Sequence, residues 1–122
     1  MSEKSIFTRI VEGEIPSEII YEDDLCFAIK DIAPKAPVHL LLIPKKPIPR
    51  LVDAEENDQA LLGHLLLAAG KVAEQAGVAE GFRLIVNNGE DAGQTVFHLH
   101  LHILGNMKMS EASLGFGSIN FN

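Results

Sequence analysis

Three histidines stand at every second position in Phe97-His98-Leu99-His100-Leu101-His102-Ile103-Leu104, and they are three of the five histidines in the chain. Imidazoles alternating with large apolar side chains predict one strand, with 97, 99, 101 and 103 on a core face and the three rings on the other. Same-face neighbours on a strand are about 7 Å apart, so His98 and His102 would stand either side of His100, about 13 to 14 Å from each other. No single small-ligand atom reaches all three. Three uses of such a row are open. The rings could be the accidental polar face of a half-buried strand. Two adjacent rings could chelate a metal, with Zn–N bonds of about 2.0 to 2.1 Å, but the third ring is then out of reach. Its other ligands would have to come from elsewhere, and Cys26, the sole cysteine, is a weak candidate. The row could instead work on one extended anion, with one ring as nucleophile and its neighbours as proton donors and charge stabilisers. The last uses all three rings and is the reading adopted, with no metal and no cofactor.

Those rings need a small sheet to hold them. At 122 residues and 47% hydrophobic, the chain has the size of one globular domain. A formal charge of -7 and the lack of a large Lys/Arg cluster argue against a phosphate-tracking groove for nucleic acid. Nothing approaches the roughly 20 apolar residues of a membrane span. Charged residues at Glu3, Lys4, Arg9, Glu12 and Glu14 replace the apolar run of a signal peptide, and one cysteine allows no intrachain disulfide. A cytoplasmic location is expected.

Val38-His39-Leu40-Leu41-Leu42-Ile43, bounded by prolines, predicts a central strand buried on both faces. His39 alone would be an ordinary core histidine, but beside three others a neighbouring strand position is plausible. Ile19–Tyr21 and Cys26–Ile29 predict a hairpin around Glu22-Asp23-Asp24, read as solvated turn acids. Asp31 then ends the second strand where a carboxylate can face a cleft. Ser5 caps a short helix with Ile6, Phe7, Ile10 and Val11 on one face, stopped by Gly13. Lys45, Lys46 and Arg50 in the proline-rich loop that follows are read as solvated. A long scaffold helix is predicted from Asp53 or Glu55 to Ala76, with Gly77 as its stop. It is apolar over more of its circumference than one core contact needs, which suits a second subunit; His64 on it is read as structural. Phe82–Val86 predicts another strand, and residues 87–94 a polar connection into the histidines. In it, Gly93 permits close approach of backbone amides to a phosphate, and Asn87 and Thr95 supply neutral donors. From Gly105 to Asn122 the chain reads as an irregular tail, partly ordered by a partner chain.

His98-Leu99-His100-Leu101-His102-Ile103-Leu104 resembles the His-φ-His-φ-His-φ-φ signature of the histidine triad (HIT) superfamily. Asp31-Ile32-Ala33-Pro34, Pro37-Val38-His39 through Ile43-Pro44-Lys45, Val86-Asn87 and Gly93-Gln94-Thr95-Val96 resemble its histidine triad nucleotide-binding (Hint) branch, over roughly residues 5 to 104. The resemblance implies an α+β fold for residues 1–122 as a single HIT domain. It implies a mainly antiparallel five-stranded sheet with one long and one short helix, extended across a two-fold homodimer. It also implies a purine nucleotide site for adenosine monophosphate (AMP) and its amidates. Carried over by position, His100 is the nucleophile on the α-phosphorus, with His39, His98 and His102 orienting it and managing charge and leaving-group protonation. Asp31 would hold the ribose hydroxyls; Phe7, Ile10, Ile29 and Ile32 would surround the base; Asn87, Gly93, Thr95 and Val96 would contact phosphate. The implied activity is a nucleoside phosphoramidase acting through a nucleotidyl-histidine. The alternatives are a dinucleoside polyphosphate hydrolase, or a non-catalytic nucleotide- or metal-binding regulatory protein. Two departures stand out: Thr95 is commonly Ser in the branch, and Gly105-Asn106-Met107-Lys108-Met109 lacks its common Trp-Pro-Pro ending.

Overall fold

A computed structural model describes residues 3–112. Five antiparallel strands, β1 (Ile19–Glu22), β2 (Cys26–Lys30), β3 (Val38–Pro44), β4 (Phe82–Ile85) and β5 (Leu101–Gly105), form one sheet in the order β1-β2-β3-β5-β4. The expected α+β architecture, with one short and one long helix, is the one found. The apolar run of β3 is central and buried on both faces because two different layers cover it. On one face Leu40, Leu42, Leu101 and Ile103 pack with Cys26 and Ala28 against Leu65, Ala69, Val72 and Ala73 of the long helix. On the other, Phe27, Ile29, Leu41 and Ile43 meet Phe7 and Ile10 of the short helix.

The short helix α1 (Ile6–Val11) starts where Ser5 Oγ accepts the Thr8 N–H at 3.1 Å and ends before Gly13, whose φ of 82° suits glycine. The long helix α2 (Gln59–Gln75) begins later than the acids at 53 to 55 predict. Asp58 turns its carboxylate back to the Glu55 N–H and the Lys46 ammonium, and residues 51–53 and 56–58 are short 3₁₀ turns. Leu66 and Leu67 of α2 face solvent.

Three further expectations change. The histidine strand is shorter than its alternation, since β5 starts only at Leu101 and residues 96–98 form a bend. The Leu99 N–H donates to the Ile48 carbonyl at 2.7 Å. Ile48 lies between Pro47 and Pro49, which have no N–H to continue a ladder. Phe97, expected in the core, is 46% exposed at that bend, while Leu99, Leu101 and Ile103 keep the core face. Asp23 is not merely solvated: it accepts from the Leu25 and Cys26 amides, the Tyr21 hydroxyl and His64. Gly105, placed in the tail by sequence, is the last residue of β5, and residues 113–122 of the expected tail lie outside the described residues. Among the described residues, no helix is long and apolar enough to cross a membrane.

Candidate active site

Register brings the fourth histidine to the triad. His39 of β3 pairs with Leu104, and Leu41 with His102, so His39 and His102 are diagonal neighbours on the α1 face. His98 and His100 reach the same place from the segment before β5. All four rings are buried. His100 and His102 have ring centroids 5.2 Å apart, and the edge of Phe7 meets His98 at 5.7 Å and His100 at 5.1 Å.

Hydrogen bonds assign the tautomers: His39, His98 and His102 carry the proton on Nε2 and His100 carries it on Nδ1. The Lys35 amide donates to His39 Nδ1 at 3.0 Å, which leaves the His39 proton on Nε2. That proton points at His102 Nδ1, 2.8 Å away, so neutral His102 carries its own proton on Nε2. His98 Nε2 donates to the Pro44 carbonyl at 2.6 Å, and its Nδ1 accepts from the Ser5 hydroxyl at 2.5 Å. His100 Nδ1 donates to the His98 carbonyl at 2.7 Å, so the lone pair of a neutral His100 ring lies on Nε2. The site thus sets a basic nitrogen, His100 Nε2, beside a proton-bearing one, His102 Nε2.

Burial disfavours the charged form of the outer rings. Desolvation pushes His98 below the ordinary histidine value, opposed by the Pro44 carbonyl and assisted by charge on His100. Desolvation does the same for His39; Asp31 opposes it and Lys35 assists it. Asp31 sits at the end of β2 with Oδ2 3.4 Å from His39 Nε2, while its Oδ1 accepts the Ala33 amide at 2.8 Å. Donor atoms of Asp31, His39 and His102 lie within 4.8 Å of one another, close enough to share a divalent ion if the His39–His102 hydrogen bond were given up.

Of the expected base-contacting residues, Phe7, Ile10 and Ile29 form one buried cluster with Val96 against it, on the same sheet face as the rings. Ile32 is not brought into it: its side chain is fully exposed in the turn after Asp31. Asn87 is half-buried, Thr95 is exposed and Gly93 adopts a left-handed φ of 95° that an L side chain disfavours. A cavity of about 590 Å³ opens between Ser5 and Thr8 of α1, the proline loop, and Thr95 to Phe97. The nearby cations are already engaged, Lys45 by Glu22, Lys46 by Asp58 and Arg50 by Asp53.

Sequence reasoning missed two positioning residues. Ser5 reads as a helix cap and nothing in its neighbourhood announces a bond to His98. Gln94 is buried in a polar loop, where its amide accepts from the Gly89 N–H at 2.8 Å and donates to the carbonyls of Pro49 at 2.8 Å and Val96 at 3.0 Å. Its place between Gly93 and Thr95 in the quoted motif was the one available signal.

Comparison with known proteins places the chain by family and fold. The HIT domain family model matches residues 12–109. An uncharacterised HIT-like protein of Synechocystis sp. is 60% identical over 110 residues, covering 90% of this chain and 96% of that one. The crystal structure of a HIT family hydrolase from Legionella pneumophila superposes with a TM-score of 0.85 at 42% identity, over 88% of this chain and 97% of that one. A histidine triad nucleotide-binding protein from Candida albicans superposes with a TM-score of 0.74 at 29% identity, over 90% and 86% of the two chains.

Proposed function

The chain belongs to the HIT domain family, and from that premise we propose that it is a purine nucleotide-binding hydrolase of the Hint branch that cleaves the P–N bond of adenosine 5'-phosphoramidates. The observation that carries this is the 2.7 Å bond from His100 Nδ1 to the His98 carbonyl, which fixes the ring with its lone pair on Nε2, the atom a nucleophile needs. His100 Nε2 attacks the α-phosphorus and the P–N bond breaks. The leaving amine takes its proton at His102 Nε2 from the imidazolium form of that ring or from a proton shared among the triad, since a neutral imidazole N–H is too weak an acid to give it up. Water then attacks the nucleotidyl-imidazole, gives its proton to the triad and releases AMP. Two displacements replace one difficult one, and no metal is required. Neutral donors at Asn87 and Thr95 and the backbone at Gly93 and Val96 stabilise the equatorial oxygens as charge develops. Asp31 takes the ribose hydroxyls, and Phe7, Ile10 and Ile29 the base.

The same reading includes a cytoplasmic homodimer. It is supported by the buried Cys26, which is in no disulfide, by β4 as an outer strand of the described sheet, and by the exposed Leu66 and Leu67 on α2.

The test is a competition between an adenosine 5'-phosphoramidate and a diadenosine polyphosphate at equal concentration. An amine leaves poorly unless protonated, whereas a nucleotide phosphate is already a good leaving group. A well-placed general acid should therefore favour the phosphoramidate by at least about a hundredfold. Faster cleavage of the dinucleotide would make the chain a dinucleoside polyphosphate hydrolase. Binding of AMP without cleavage of either would make it a regulatory nucleotide-binding protein.

A further inference from the structure

On the α2 face of the sheet, away from the four histidines, three elements converge on one carboxylate oxygen. Asp23 Oδ2, in the turn between β1 and β2, lies 2.7 Å from His64 Nε2 of α2, 3.6 Å from Cys26 Sγ at the start of β2, and 2.8 Å from the Tyr21 hydroxyl. We propose that Asp23, Cys26 and His64 form a second site, which binds a borderline-soft divalent cation of the zinc type.

The donor set and its spacing carry the assignment. One thiol, one imidazole and one carboxylate are the three ligand types that zinc takes, and their donor atoms all lie within 4.8 Å of one another. Tetrahedral zinc, with bonds of about 2.3 Å to sulfur and about 2.0 to 2.2 Å to oxygen, sets sulfur and oxygen roughly 3.5 Å apart. The observed Sγ to Oδ2 separation is 3.6 Å. The Asp23–His64 pair has to open by only about half an ångström to admit the ion. His64 and Asp23 side chains are 31% and 25% exposed and can yield, whereas Cys26 is fixed in the core. Water enters over them as the fourth ligand.

A supporting shell is already present. Asp23 Oδ1 accepts the amides of Leu25 and Cys26 at 2.8 and 2.9 Å, which aims Oδ2 at the other two ligands, and Tyr21 donates to the same oxygen. Binding releases the thiol proton, and the His64 proton that faces Asp23 from Nε2 shifts to Nδ1, which leaves the Nε2 lone pair for the ion. Burial and the Asp23 charge push the Cys26 thiol up to about 12, with Lys45 and Lys71 acting in the opposite sense. The cation must displace that thiol proton to bind sulfur. Occupancy ties the β1–β2 turn to α2 without touching His39, His98, His100 or His102.

Cobalt(II), which takes zinc sites and absorbs light, separates this site from the Asp31, His39 and His102 cluster, which has no sulfur. Metal-free protein titrated with one equivalent of cobalt should develop thiolate-to-cobalt charge-transfer absorption in the near ultraviolet. His64→Asn, at a half-exposed helix position, should fold normally and weaken binding by at least about tenfold. Cys26→Ser should abolish the charge-transfer band. Zinc should raise the thermal midpoint of the wild type and not of H64N, and phosphoramidate turnover should be the same in H64N as in wild type. No sulfur-to-cobalt absorption at one equivalent, or equal binding and equal zinc stabilisation in H64N, would overturn the assignment whatever the outcome at the histidines.

Discussion

Ser5 and His98 lie 93 residues apart and share a 2.5 Å hydrogen bond in which the hydroxyl donates to Nδ1 while its oxygen accepts the Thr8 amide. The residue that starts α1 is therefore also the one that fixes the tautomer of the first ring of the triad. Because the His98 carbonyl in turn holds His100, a change at the helix cap reaches the nucleophile through two bonds. Ser5→Ala should lower stability by about 1 kcal/mol, the usual cost of a lost cap. It should also lower turnover by about tenfold, since a buried acceptor loses its donor. Ser5→Thr should restore both. Denaturant unfolding beside steady-state rates decides it: a less stable S5A enzyme with unchanged turnover would reduce the link to capping alone.

Removing the nucleophile should separate chemistry from folding. His100→Ala takes away Nε2 but leaves Leu99, Leu101 and Ile103 in the core. The expected result is a loss of several orders of magnitude in phosphoramidate hydrolysis with a native circular dichroism spectrum. A substrate labelled at the α-phosphate should leave an acid-labile label on His100 of the wild type. Label on a carboxylate or serine, or H100A activity within about tenfold of wild type, contradicts the mechanism.

Acid should weaken the fold before it protonates carboxylates. His98 and His39 are held below the ordinary histidine value of about 6.5 chiefly by burial, so between that value and their own the unfolded chain binds more protons than the folded one. Their stabilising contribution is complete above about 6.5 and is lost as pH falls through that value toward their lowered ones. Burial opposes ionisation of Asp23, but the Leu25 amide, Tyr21, His64 and the Cys26 amide outweigh it and hold the carboxyl below the usual range. That group therefore adds a second decline only in stronger acid. Denaturant midpoints at about pH 7.5 and about pH 5 should show the first decline, and a midpoint that stays flat or rises on acidification contradicts it.

Self-association is measurable directly. Sedimentation should give about twice the 13.3 kDa chain mass. Charged substitution of Leu66 and Leu67, which are 63% and 71% exposed, should lower it toward the monomer value. A fully active monomer at micromolar concentration rules the dimer out.

Resemblance to the HIT superfamily implied the fold class, and the sequence alone was enough for the central strand around His39, the cap at Ser5, the stop at Gly77 and the triad itself. Each is written in local periodicity or in one residue's backbone preference, and local rules need no knowledge of what lies across the sheet. The straight histidine strand was the natural reading of perfect alternation. It failed at Phe97 and His98 because the neighbouring chain there is the proline loop, whose Ile48 offers a single carbonyl. The tautomers were beyond any local rule. Whether a ring nitrogen is a base or an acid depends on the Lys35 amide, the Pro44 and His98 carbonyls and the Ser5 hydroxyl, and only tertiary packing decides which of these a buried imidazole meets.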